Sequence, residues 1–180
     1  MTDLAGALEV MLQQRACRAY RPEPVPDHDL HAMLEAATHA PSAENRQPWV
    51  FVVVRDPVAR TAIVELTSEI WMGGARAHAE GSLVPRFLQA VDEFVASGYG
   101  GAPTLVVVAG DSRAGIPTAV LASSVYPAVQ NLLLAASALG YGSSMTTLAA
   151  QAPDALAIIV GLPSGVRPFA VVPLGRPVDP

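Results

Sequence analysis

Between Arg113 and Asp154 the chain carries no charged residue, and within that stretch residues 118–139 are largely apolar. Such a segment can be housed in two ways: across a lipid bilayer, or as a helix buried on most of its circumference by the rest of the protein. Ser123, Ser124, Pro127, Gln130, Asn131 and Ser137 interrupt it, and a lipid-facing span should be cleaner. The reading is a long central core helix, with no membrane as partner. The chain's 180 residues supply enough material to cover it. Composition adds a constraint: 15% of residues are charged, against roughly 25% in ordinary soluble domains. So few charges leave apolar surface uncovered on a lone subunit, and such patches mark interfaces. A homodimer that hides the surplus is the expectation.

Other elements follow from periodicity and punctuation. Leu4, Leu8, Met11 and Leu12 recur at helical spacing and predict a first helix to about Gln14 or beyond. Pro22, Pro24 and Pro26 force an extended link. Asp27 is placed to cap a second helix, with Leu30, Met33, Leu34 and Ala37 as its buried face and Pro41 beyond its end. Residues 49–54 and 104–109 are nearly continuous apolar runs, the pattern of buried strands. Residues 58–72 read as a helix, 73–98 are little patterned apart from a helix near 87–95, and Gly98, Gly100, Gly101 and Pro103 mark a turn. Gly140 and Gly142 end the long helix. Residues 143–147 look extended, a short helix follows Pro153, and 170–174 form a last strand. No linker or repeat interrupts the chain. The expectation is one α+β domain over 1–180, several helices around a sheet of few strands.

Several function classes find no support. The net charge is -5, every one of the 11 basic residues is arginine, and no basic tract tracks a phosphate backbone, so nucleic acid is not an expected partner. A single cysteine, Cys17, rules out an internal disulfide framework. The N-terminal residues carry Asp3 and Glu9 and no leader-like apolar core, which makes the cytoplasm the default location. Glycines at 98, 100 and 101 precede a strand, whereas a dinucleotide fingerprint follows one. With no lysine there is no P-loop, and no G-x-S-x-G elbow occurs. His31, Glu35 and His39 share a helix face, but it lies opposite the apolar stripe and reads as solvated, so no metal site is expected.

Two features can carry chemistry. Arg15 and Arg18, three residues apart at the end of the first helix, would share a face and could clamp one anion; solvated surface arginines explain them as well. The loop Ala40–Pro41–Ser42–Ala43–Glu44–Asn45–Arg46–Gln47–Pro48–Trp49 packs a hydroxyl and two amides between a helix and a strand. Amides can read a ring edge of mixed donors and acceptors; an ordinary capped loop would look the same.

Taken together with the rest of the chain, these elements are similar to a known pattern. Gln14–Arg15–Ala16–Cys17–Arg18–Ala19–Tyr20 resembles the opening R-R-S-x-R-x-F of the nitroreductase-like flavoproteins, and residues 40–49 resemble that family's A-P-S-x-x-N-x-Q-P-W loop. Residues 130–140 resemble its Q-N-L-x-L-A-A-x-x-L-G helix, and Gly161–Leu162–Pro163 and Leu174–Gly175–Arg176–Pro177 its closing G-L-P and L-G-x-P. The order is the family's; residues 57–100 carry little of the likeness.

The resemblance implies an α+β nitroreductase-like fold: a central, mostly antiparallel sheet flanked by helices, paired as a homodimer through the long central helix, with FMN at the subunit interface. It implies that Arg15 and Arg18 approach the FMN phosphate and pyrimidine. Pro41, Ser42, Ala43 and Asn45 would reach the cofactor from the other subunit, with Gln47 holding the loop. Met145, Thr146, Thr147 and Leu148 would line the isoalloxazine near N5, where backbone N–H groups stabilise developing negative charge. The implied activity is ping-pong: NAD(P)H delivers a hydride to FMN, and a small acceptor such as a nitroaromatic or quinone removes the electrons, with no protein nucleophile. A flavin-dependent dehydrogenase or oxidase tailoring a small metabolite, or a non-catalytic flavin or deazaflavin binder, remain alternatives. The pattern's first Arg and its Ser are here Gln14 and Ala16, and the sequence stops at Pro180 before the family's C-terminal arm and its basic phosphate contact. A looser hold on the phosphate is the expectation.

Overall fold

Strand β2 (Thr104–Asp111) is buried along almost its whole length and organises the molecule. Successive side chains of a strand face opposite sides of a sheet. Val106 and Val108 therefore enter one apolar cluster, Leu105 and Val107 another. A continuous apolar run is what a strand needs when helices cover both its faces. The computed structural model describes residues 4–113, 115 and 117–178, with the backbone alone for Leu4 and Ala5; Asp3 and Pro180, which entered the sequence reading, lie outside the described residues.

In chain order the elements are α1 (Leu4–Gln13), α2 (Asp27–Thr38), β1 (Trp49–Val54), α3 (Pro57–Ile70), α4 (Arg76–Glu80), α5 (Pro85–Ala96), β2, α6 (Thr118–Ala138), β3 (Gly142–Ser143), α7 (Pro153–Ile159) and β4 (Val166–Gly175). The four strands form one sheet in the order β1-β2-β4-β3, every neighbouring pair antiparallel. Helices α2 and α6 cover one face, where Met33, Ala37, Val125, Val129 and Leu132 meet Val106, Val108, Ala170 and Val172. Ile63 of α3, Phe94 of α5 and Leu156 of α7 pack on the other face against Leu105, Val107 and Val171.

The long uncharged helix stands where the sequence placed it. Leu121, Val125, Ala128, Leu132 and Ala136 recur at helical spacing on its buried side. Of the described helices only α6 is long and apolar enough to cross a membrane, and that buried side is held in the core.

Some local expectations are corrected. Asp27 does not cap α2: Pro26 holds the cap position, and the Asp27 carboxylate pairs with Arg55. Strand β1 matches residues 49–54 but is mostly half-buried, because it forms an edge of the sheet. Strand β4 starts four residues earlier than the apolar run, since Arg167 and Pro168 extend the ladder opposite Gly110 and Ala109. Helix α1 leaves Leu8, Met11 and Leu12 exposed.

Candidate active site

Helix α1 stops at Gln13, and the chain continues extended rather than helical. Ala16 pairs in parallel with Ser143, the Cys17 N–H donates to the Ser143 carbonyl at 3.0 Å, and Tyr20 pairs with Pro177. Residues 14–20 thus run along the outer side of β3. The shared helix face expected for Arg15 and Arg18 does not exist. Arg15 turns back and donates to the carbonyls of Leu12 and Gln14, at 2.7 and 2.8 Å. Those carbonyls sit at a helix C-terminus, where partial negative charge accumulates and a cation is favoured. Arg18 points elsewhere: among the described residues its guanidinium makes no hydrogen bond or ion pair, and it borders two adjoining cavities of about 560 and 260 Å³.

Two contacts fix this segment. The buried Tyr20 hydroxyl donates to the Cys17 carbonyl at 2.6 Å and lies 3.4 Å from Ser144 Oγ, and burial pushes its pKa well up. The turn at Tyr99–Gly101 backs it from the other side, with the Tyr20 N–H donating to the Gly100 carbonyl at 2.9 Å.

The second half of the site follows α6. Gly142 and Ser143 pair with Gly175 and Leu174 of β4. The same register continues to Thr146, which exchanges both backbone hydrogen bonds with Val171 at 2.9 Å. In an antiparallel ladder, adjacent residues direct their N–H groups to opposite sides. Thr146 faces β4, so Met145 and Thr147 face away from it. Their N–H groups have no partner among the described residues. The Leu148 N–H donates to Thr146 Oγ1 at 3.3 Å and turns the chain. Residues Ser144 to Leu148 and Arg18 line the 260 Å³ cavity together, so Arg18 and Met145, Thr146, Thr147 and Leu148 are brought together in a single chain.

The loop before β1 lies elsewhere. Pro41, Ser42, Ala43 and Asn45 border neither cavity. The loop docks on α6, where the Ala43 N–H donates to Ser124 Oγ at 3.1 Å. Ser42 Oγ accepts the Gln47 N–H at 3.0 Å, and the Gln47 amide donates to Asn45 Oδ1 at 3.1 Å, so Gln47 ties the loop through the Ser42 and Asn45 side chains. Glu44, Asn45 and Gln47 all have positive φ, a conformation that costs non-glycine residues. Glu44 to Gln47 are exposed, with the Asn45 amide N–H₂ unspent among the described residues.

Besides Ala16, the remaining walls of the small cavity are Trp71, Leu83, Val91 and Phe94, all from the stretch 57–100 that carries little of the family likeness. The spacing of Val91 and Phe94 on a helix was a usable signal for α5, but nothing local told which face would meet a cavity.

A model of the Nitroreductase family matches residues 11–176. A relative named NADH dehydrogenase, from Thermus thermophilus, is 32% identical over 180 residues, covering 93% of this chain and 85% of its own. A solved structure of oxidized iodotyrosine deiodinase bound to FMN and 3-iodo-L-tyrosine superposes with a TM-score of 0.77 at 27% identity, covering 97% of this chain and 91% of that one. A nitroreductase with bound FMN from Desulfitobacterium hafniense superposes with a TM-score of 0.76 at 24% identity, covering 97% and 90%.

Proposed function

Because this chain belongs to the nitroreductase family, we propose that it is an FMN-dependent NAD(P)H oxidoreductase acting as a homodimer on a small acceptor such as a nitroaromatic or quinone. The observation that carries the reading is the meeting of an unspent Arg18 guanidinium with the outward N–H groups of Met145 and Thr147 around one cavity.

The donor set suits the cofactor. A flavin is a flat ring system with an apolar end and a pyrimidine end rich in acceptors. Arg18 supplies fixed positive charge and several donors for the pyrimidine side. The outward N–H groups supply donors at the ring's middle. Met145, Leu148 and Phe94 supply apolar contact. Bound FMN would supply the chemistry that side chains lack, taking a hydride from NAD(P)H and passing the electrons to the acceptor.

The chain's own residues then bind, orient and stabilise. Arg18 sits where negative charge gathers on reduction, and a preorganised cation stabilises that charge without reorganising. The N–H groups of Met145 and Thr147 are held by the ladder to β4, so they too act without reorganisation. Arg15 holds the end of α1. Pro41, Ser42, Ala43 and Asn45 border neither of these two cavities, and the proposed role for them is at the other subunit's flavin. The exposed Leu8, Met11 and Leu12 favour that pairing.

The test is direct. Purified protein, supplemented with FMN and desalted, should show flavin absorbance, and anaerobic NADH or NADPH should bleach it. Protein that retains no flavin, or flavin that neither nucleotide reduces, defeats the reading.

A further inference from the structure

The 260 Å³ cavity given above to the flavin ring is smaller than the roughly 300–1,000 Å³ of most small-molecule sites, so a bound flavin extends past it. The adjoining 560 Å³ cavity is the continuation, because Ala16, Arg18 and Phe94 wall both. Ala19, Ala90 and Gly100 are further walls of the larger one. These small residues leave room for the edge of a flat ring between residues 16–19 and α5.

The polar groups of this larger cavity differ in what they have left to offer. The Cys17 thiol is turned to the Ala19 carbonyl at 3.3 Å. Ser97 Oγ donates to the Phe94 carbonyl at 3.2 Å and accepts the Gly100 N–H at 3.1 Å. The charged residues of the lining are Arg18 and Glu93. Glu93 Oε1 accepts from the Gln89 amide at 2.8 Å, and its Oε2 has no partner among the described residues. Asp92, its neighbour in the chain, is already engaged. The Trp71 indole N–H donates to its carboxylate at 2.8 Å, and Arg76 grips it through Nε and Nη2, both at 2.9 Å. Trp71–Ala75 is a widened helical turn in which Gly74 takes φ 144°, open to glycine alone in practice, and that turn brings Arg76 back to Asp92. Helix α5 thus presents one unspent carboxylate to the cavity, and the buried Leu88, Phe94 and Val95 fix the helix that carries it.

Opposite charges kept apart in one cavity suit a ligand edge that both accepts and donates. The pyrimidine edge of a flavin is of that kind: N1 and the two carbonyl oxygens accept, and the N3–H between the carbonyls donates. A guanidinium can only donate and a carboxylate can only accept. Arg18 therefore serves the ring's acceptors alone, and Glu93 is the side chain in the lining with acceptor capacity left for N3–H.

We propose that Glu93 is a flavin-binding residue whose carboxylate accepts the N3–H of the pyrimidine ring while Arg18 donates to the ring's acceptors. The inference rests on the flavin-enzyme reading and adds to it a residue of α5, outside the stretches that resemble the family pattern. A hydrogen bond to an ionised acceptor is stronger than one between neutral groups. A fixed negative charge beside the ring also opposes the negative charge gained on reduction. Glu93 accordingly selects a flavin with an unsubstituted N3 and lowers the potential of the bound cofactor.

Flavin-free protein titrated with FMN and with N3-methyl-FMN, in which a methyl group replaces the donor, tests this by flavin fluorescence. Wild-type protein should bind FMN roughly tenfold or more tightly than the methyl derivative. Glu93 is exposed, so Glu93→Ala leaves the core intact. That variant should bind FMN at least fivefold more weakly and hold the two flavins within threefold of each other. Glu93→Gln, whose amide oxygen still accepts, should keep most of the discrimination, and the midpoint potential of its bound FMN should be more positive than in wild type. A merely structural Glu93 would weaken both flavins alike and keep the discrimination. Discrimination that is absent in wild type or survives in Glu93→Ala, or a potential that does not rise in Glu93→Gln, overturns the proposal. Protein that takes up neither flavin defeats the flavin reading and this inference with it, whereas equal uptake of both defeats this inference alone.

Discussion

A Cβ placed on Gly100 would stand 1.9 Å from the carbonyl oxygen of Arg18. Gly100 also has φ 66°, a left-handed conformation. The glycine thus lets the turn before β2 lie directly against the segment that presents Arg18. Gly100→Ala must pay for left-handed backbone, about 1–2 kcal/mol, and must also push residues 18–19 outward. The expected outcome is a lower melting temperature together with weaker flavin retention. An unchanged melt would contradict the close packing.

Arg18→Ala removes the charged donor of the cavity while leaving an exposed position in the fold. Hydrogen bonds to charged groups contribute roughly 1.5–3 kcal/mol, and about 1.4 kcal/mol is tenfold in affinity. FMN should bind at least tenfold more weakly with the circular dichroism unchanged. Arg15→Ala should cost less, because its guanidinium is committed to the end of α1. Flavin fluorescence titration ranks the two, and equal losses would return Arg15 to the same role as Arg18.

Leu8, Met11 and Leu12 are 53%, 58% and 73% exposed on α1, a cluster that a solitary subunit has no reason to present. Leu12→Glu should convert a micromolar dimer into monomer by light scattering. Flavin should be lost in parallel, since the loop bearing Ser42 and Asn45 is assigned to the partner's site. Dimer persistence with the flavin retained would place the interface elsewhere.

Acid should weaken the fold through two carboxylates. Arg76 and then Trp71 hold the Asp92 carboxyl below its ordinary range, and Arg113 holds Asp111 at about 2. A carboxyl whose pKa is lowered by folding stabilises the native state above its unfolded value, near 3.9, and that contribution disappears as pH falls through the folded value. Urea midpoints should therefore be flat from neutrality to about pH 5 as far as these groups are concerned, and decline below pH 4. Asp92→Asn should make the decline shallower. A decline of the same slope in that variant would remove Asp92 from the account.

How much of this was legible in the sequence depended on the range of the interaction. Helix α6 declared itself because a stretch without charge has to be enclosed. Strands β1 and β2 declared themselves as apolar runs, but not which was the edge, because both kinds of strand can carry the same residues. The motif at residues 40–49 and the turn after Gly140 were legible by resemblance. The disposition of Arg15 and Arg18 was not: nothing near Ala16 signals that it will pair with Ser143 instead of extending α1. Trp71 was hidden for a similar reason, since its role depends on Gly74 adopting a positive φ so that Arg76 can return to Asp92.

The two margins of the sheet are finished differently. Residues 14–20 run beside β3, whereas β1, with the sequence Trp-Val-Phe-Val-Val-Val, has no strand on its outer side among the described residues. Six consecutive apolar residues with unpaired backbone groups are a template on which further copies can assemble into fibrils. Losses during storage should accordingly rise with concentration and temperature, and a charged residue introduced into that outermost strand would be the place to begin making the protein easier to handle.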